Sequence, residues 1–186
     1  MKKMLGEKKV YDLLEGIDKD LAEEARGCGC SMCGGRLHRA DYGRKPRGGP
    51  CWEKRYSFCC AEEGCRKRMT PRSVRFLGRR VYAGIVVVLV SAMLHGVSEA
   101  RVQRLREALG IDKRTLERWR AWWVETFVSG DFWRAQRGRF MPSIDEGRLP
   151  LTLVEAFDTG GWEGLVKLMR FLSPITTSSW KQTGAM

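Results

Sequence analysis

Histidine is nearly missing from this chain: only His38 and His95 occur in 186 residues, and they stand far apart, so paired-histidine nickase chemistry has no pair to use. A long apolar run is also missing. The best candidate, VYAGIVVVLVSAML from Val81 to Leu94, has 14 residues, whereas a bilayer-spanning helix needs about 20. It predicts a buried helix ended near Gly96 and no membrane partner. The opening MKKMLGEKK is basic, but the apolar stretch of roughly 7 to 15 residues that completes a secretory leader does not follow. A cytoplasmic, nucleoid-associated location is the expectation. Acidic residues are absent from RKRMTPRSVRFLGRR, residues 66–80, which holds seven Lys and Arg. No serine or tyrosine sits in a recognisable nucleophile setting.

What is present is positive charge in one place. Residues 1–27 carry 6 Lys/Arg against 7 Asp/Glu and residues 131–186 carry 7 against 6, so residues 28–130, with 21 against 9, supply the whole net +12. Such a concentration is a footprint for a polyanion, and duplex DNA is the expected partner. The stretch RLHRADYGRKPRGGPCWEKRY (36–56) has seven basic residues against two acids. Arg44, Lys45, Arg47, Arg66, Arg68 and Arg72 are the candidate DNA-binding residues of these two basic segments. Arginine outnumbers lysine there, which suits bidentate contact with phosphate or guanine.

The seven cysteines are odd in number and belong to a chain expected in a reducing compartment, so metal binding is favoured over a disulfide framework. They gather in GCGCSMCGG (27–35) and SFCCAEEGC (57–65). Cys30 and Cys33, followed by Gly34 and Gly35, form a turn that aims two thiolates at one ion. In the second cluster, strand period puts Tyr56, Phe58 and Cys60 on one face and Cys59 on the other, which favours Cys60 with Cys65. Cys30, Cys33, Cys60 and Cys65 are therefore the expected ligands of a structural Zn2+, closed to water by four sulfurs. Cys28 in place of Cys30 and Cys59 in place of Cys60 remain open alternatives, with His38 a weaker one. Cys51 is unassigned.

Three helices are expected downstream. After the apolar helix, Ser98 caps a second with Val102, Leu105 and Leu109 on one side and Gly110 at its end. Asp112 caps a third, in which Leu116, Trp119, Trp123 and Phe127 form one stripe. Lys113, Arg114 and Arg118 face away from it, as in a recognition helix that offers donors to the major groove.

The order of a Cys-x-x-Cys ribbon ending CRKRMTPRSVRF, an apolar helix and LGIDKRTLERWRAWW resembles the zinc-ribbon plus helix-turn-helix heads of bacterial insertion-sequence transposases, over roughly residues 28–125. The resemblance implies zinc on Cys30, Cys33, Cys60 and Cys65 and DNA against Lys113, Arg114 and Arg118. Such heads usually carry a Cys-x-x-Cys second knuckle, whereas four residues intervene here. Transposases of that kind continue into a three-carboxylate sheet holding two metal ions. Only 63 residues follow Trp123, divided by Pro142, Pro150, Gly160, Gly161 and Pro174, and they read as short helices. Asp131, Asp145, Glu146, Glu155 and Asp158 read as caps and surface acids.

The expected fold is mostly α with a small β zinc ribbon. It divides into an N-terminal amphipathic helix (1–27), the ribbon (28–78), a helix-turn-helix three-helix unit (79–128) and a C-terminal helical segment (129–186). Val10, Leu13, Leu14, Ile17 and Leu21 form the expected apolar face of the first, and Leu165, Leu168, Met169 and Leu172, with Trp162 nearby, that of the last. The expected function is a non-enzymatic, zinc-containing DNA-binding factor of a mobile element, acting with a partner transposase or by self-association. The alternatives are a catalytic transposase or nuclease with unrecognised carboxylates, and an RNA-binding ribbon that stacks bases on Tyr42, Trp52 and Tyr56.

Overall fold

The computed structural model of the chain describes residues 8–45, 53–77, 84–93, 103, 107, 110–158 and 162–177. The molecule is mostly helical, with small antiparallel sheets and a cysteine cluster. Among the described residues no helix is long and apolar enough to cross a membrane. Two compact units are present, Lys3–Gly84 with Arg170–Trp180, and Ile85–Met169.

The first unit opens with α1, Lys8–Gly27. Its buried side is Tyr11, Leu14, Ile17, Asp18 and Ala22. This corrects the sequence-based face: Leu13 is 50% exposed, Leu21 is half-buried, and the fully buried Asp18 takes a place in the core. The reason is an ion pair. Asp18 accepts from the Ser73 hydroxyl at 2.5 Å, the Val74 amide at 2.6 Å and the Arg75 Nε at 2.9 Å. Arg75 also reaches Glu53 at 3.3 Å and donates to the Lys54 carbonyl at 2.7 Å. Its guanidinium lies between the rings of Tyr56 and Phe76, 5.5 and 5.2 Å from their centroids. A buried charge is tolerated only when paired and hydrogen-bonded, and here each of the three guanidinium nitrogens has an acceptor.

Five short strands follow: β1 (Leu37–Arg39), β2 (Tyr42–Arg44), β3 (Glu53–Arg55), β4 (Phe58–Cys60) and β5 (Arg68–Met69). They form a three-stranded sheet of order β1-β4-β5 and a β2-β3 hairpin, all antiparallel. The register sets Leu37 opposite Cys60 and His38 opposite Cys59. Because side chains alternate, Leu37, Phe58 and Cys60 turn inward onto Ala22, Cys30 and Tyr56, while Cys59 is only half-buried.

In the second unit α2 (Gly84–Met93) is apolar on every side. Ile85, Val86, Val87, Val88 and Val90 are all buried, as expected for a helix without a polar face. The helix expected from Ser98 lies outside the described residues except at Gln103 and Glu107, which are helical, and Gly110 beyond it adopts φ +63°. Next comes α3, Lys113–Ala121, which continues into a π-helical turn, Trp122–Phe127. Leu116, Trp119, Trp123 and Phe127 are all buried, as the stripe predicts. Trp123, Phe127 and Trp133 meet at ring separations of 5.0 and 5.3 Å, Trp133 on α4 (Asp131–Gln136). Two further helices are α5 (Leu151–Ala156) and α6 (Trp162–Leu172). Asp145 caps the short turn Glu146–Arg148, Glu146 accepts from Trp133 Nε1 at 2.7 Å, and Asp131 and Glu155 pair with Arg134 and Arg148, all structural uses of these acids.

Candidate metal centre and basic surface

The first knuckle starts where α1 stops. Cys28 and Gly29 donate their amides back to the Glu24 and Arg26 carbonyls, and Gly29 takes φ +75°, turning the chain out of the helix. A Cβ at Gly29 would sit 2.8 Å from the Gly34 carbonyl oxygen, so both conformation and space require glycine there. The turn closes through Gly34 amide to Cys30 carbonyl at 2.8 Å and Cys30 amide to Gly35 carbonyl at 2.9 Å. The second knuckle hangs on β4. Cys60 donates its amide to the Lys67 carbonyl, Ala61 to that of Arg36, and Cys65 and Arg66 both to that of Glu62. Arg66 is left at φ +46°, the left-handed region that a residue with a Cβ seldom occupies.

These two turns bring the sulfurs of Cys30, Cys33, Cys60 and Cys65 within 4.8 Å of one another. Cys33 Sγ lies 3.4 Å from Cys60 Sγ, and Cys30 Sγ 3.7 Å from Cys65 Sγ. Sulfurs at ~2.3 Å from a common tetrahedral ion stand about 3.8 Å apart, so the cluster matches a four-thiolate cage. A disulfide would need about 2.05 Å, and among the described residues no disulfide is present.

Backbone amides are aimed at every sulfur: Met32 and Cys33 at Cys30, Gly35 at Cys33, Glu62 at Cys60 and Lys67 at Cys65. Such donors stabilise thiolate. At Cys30 the amides of Met32 and Cys33 bring the thiol down to about 7. The Cys60 thiol is pushed up, chiefly by burial. At Cys33 and Cys65 the amides of Gly35 and Lys67 favour the thiolate, but neighbouring thiols and burial outweigh them and both pKa values rise. Four adjacent sulfurs cannot all ionise without a cation among them. The donor set therefore fits a soft divalent metal and leaves no open position for substrate or water.

The alternatives left open in the sequence fall elsewhere. Cys28 is exposed at the end of α1, and Cys59 points its Sγ at the Arg66 carbonyl, 3.5 Å away. Exposed His38 lies beside Cys59 on the outer face of the sheet. Cys51 lies outside the described residues. Sequence reasoning also missed that α1 belongs to this centre: Ala22 packs into the cysteine core with Ala25 against it. A small-residue step at the end of an amphipathic helix was the available signal.

Among the basic candidates, Lys45, Arg66, Arg68 and Arg72 are exposed in the first unit and Arg44 is half-buried. Arg44 lies over the Phe76 ring at 5.1 Å, Arg68 over exposed Tyr42 at 5.9 Å, and Arg72 3.6 Å from Glu24. Arg47 lies outside the described residues, as does Trp52. Two other arginines of the basic segments, Arg55 and Arg75, are buried and belong to the core. Tyr56 is buried as well and presents no face to a base.

In the second unit Asp112 caps α3 by accepting the Thr115 amide at 2.8 Å, with the Thr115 hydroxyl on its other oxygen at 2.8 Å. These two bonds hold its carboxyl below the usual carboxylate range. Lys113, Arg114 and Arg118 are exposed on the side opposite the aromatic stripe. Lys113 pairs with Glu117 at 3.7 Å and Arg118 donates to the Thr115 hydroxyl at 2.9 Å. Exposed contacts of this kind are weak enough to exchange for a phosphate. No protein-family profile, curated protein or solved structure matches the chain.

Proposed function

We propose that this protein is a zinc-containing duplex-DNA-binding protein, similar in plan to the zinc-ribbon plus helix-turn-helix heads of insertion-sequence transposases and serving a mobile element as an accessory or regulatory factor. The observation that carries the reading is the convergence of Cys30, Cys33, Cys60 and Cys65 inside a segment whose exposed charged side chains are mostly basic. Four sulfurs make the metal structural: it holds together a small sheet that its few apolar side chains would scarcely stabilise alone. Arg66, Arg68 and Arg72 follow directly after the last sulfur ligand. On α3 the aromatic stripe fixes the helix while Lys113, Arg114 and Arg118, exposed on the other side, are the side chains that meet the major groove. A partner transposase or a second copy would supply the half-site or the chemistry this chain is not expected to supply.

The test is duplex binding over a salt series. Affinity falls with a log-log slope of about −0.9 per phosphate contacted, and Arg114→Ala with Arg118→Ala reduces both affinity and slope. Unchanged binding by that double variant refutes α3 as the reading helix. Mg2+- or Mn2+-dependent cleavage of labelled DNA would establish the nuclease reading instead. Preference for single-stranded RNA over duplex DNA would establish the RNA-binding one.

A further inference from the structure

Beside the metal centre, and apart from the basic residues considered above, the end of α1 and the first knuckle enclose an open groove of about 550 Å³. Its floor is peptide backbone at Gly27, Gly29, Gly34 and Gly35, and Glu23, Arg26 and Arg36 are among its walls. Glycine is demanded by conformation at Gly29 and Gly34, where φ is +75° and +72°. Gly27 is different. It is the last residue of α1, its φ is not left-handed, and a Cβ there would meet nothing within 4 Å. Packing therefore does not require this glycine. A floor without side chains is what close approach of another backbone requires.

The walls give the charge of that backbone. Glu23 is occupied on both oxygens, by Arg26 at 3.6 Å and by Arg39. Arg36 is exposed, and among the described residues no carboxylate pairs with it. Its backbone is fixed, because its carbonyl accepts the Ala61 amide at 2.8 Å and so ties it to the strand that carries Cys60. Two guanidiniums, Arg26 and Arg36, line the groove against the one carboxylate of Glu23, and the planar guanidinium of Arg36 suits a bidentate phosphate contact.

We infer that this groove seats a phosphodiester of the DNA strand, gripped by Arg36 and Arg26 over the Gly27–Gly34 floor. The inference rests on the duplex-binding reading and adds to it a contact that exists only while the first knuckle is closed. The metal-loaded full chain is measured by fluorescence anisotropy on a labelled random-sequence duplex over a salt series, with metal content and melting temperature recorded for each variant. Arg36→Gln lowers the magnitude of the log-log slope by about 0.9 and weakens binding about tenfold, the worth of one charge-assisted contact. Gly27→Trp fills the groove and weakens binding at unchanged metal content. Gly16→Trp, exposed on the same helix about 16 Å away along its axis and with nothing within 4 Å of its Cβ, binds as the parent does. A parent chain that binds DNA while Arg36→Gln keeps both its affinity and its slope overturns the groove and leaves the duplex reading standing. A parent chain that does not bind duplex DNA overturns both. Should Gly27→Trp lose metal, Arg36→Gln alone decides.

Discussion

Replacing Asp18 with asparagine removes one negative charge from the centre of the first unit and changes little else in shape. In the parent, the carboxylate takes three donors, at 2.5, 2.6 and 2.9 Å, and is fully buried. Asparagine keeps one acceptor oxygen and turns an NH2 toward a group that also donates. At least one charge-assisted bond is lost, at about 1.5–3 kcal/mol. Arg75, whose side chain is 2% exposed, keeps Glu53 at 3.3 Å, the Lys54 carbonyl and, at 3.9 Å, the exposed carboxylate of Glu15. Breaking a buried pair from one side costs about 3–5 kcal/mol, a large share of the roughly 5–15 kcal/mol that holds a domain folded. Urea unfolding of the metal-loaded protein should therefore show the unfolding free energy of Asp18→Asn lowered by that amount, read as a lower midpoint at unchanged m-value. Arg75→Met should lose a similar amount, and the double variant much less than the sum, because the second change removes the stranded charge left by the first. A single-variant loss below about 1 kcal/mol, or strict additivity, would refute the claim that this pair straps the segment after the second knuckle to α1.

Other consequences are open to direct measurement. Gly29→Ala meets the Gly34 carbonyl at 2.8 Å in a left-handed conformation, so it should cost more than the ~1 kcal/mol of conformation alone and weaken metal retention in a chelator competition. Arg66→Gly should raise stability by about 1 kcal/mol, since glycine occupies φ +46° without strain, while reducing the salt slope of DNA binding; a loss of stability would show that the side chain serves the fold. Burial raises the Glu53 carboxyl despite Arg75 beside it. A raised folded-state pKa contributes stability that is present below the unfolded value and fades as pH rises through the folded one. Glu53→Gln should abolish that part of the decline, so its advantage over the parent grows from mildly acidic toward neutral pH, and parallel stability curves would count against it.

The cysteine cluster was legible because strand period separates Cys60 from Cys59 by face, and the observed register keeps that alternation. The Asp112 cap and the aromatic stripe of α3 were legible for the same reason: their signals are local, one helical turn long. The π-turn at Trp122–Phe127 left no such signal, yet Trp123 and Phe127 stay buried through it. The face of α1 was misjudged because a scan for apolar spacing cannot see a buried carboxylate whose partner lies 57 residues away. Arg55 and Arg75 were hidden in a run of basic residues in the same way. Charge marks a residue as polar, and only the fold shows which charges have been drawn inward by Asp18, by Phe76 and, for Arg55, by the Pro71 carbonyl at 2.6 Å.

Native mass spectrometry of the purified chain, alongside its Cys59→Ser and Cys60→Ser variants, tests the metal cage that everything else depends on. The parent and Cys59→Ser should each carry one zinc ion, and Cys60→Ser should lose it. A parent chain that holds no metal, or a Cys59→Ser variant that loses zinc while Cys60→Ser retains it, would contradict the account.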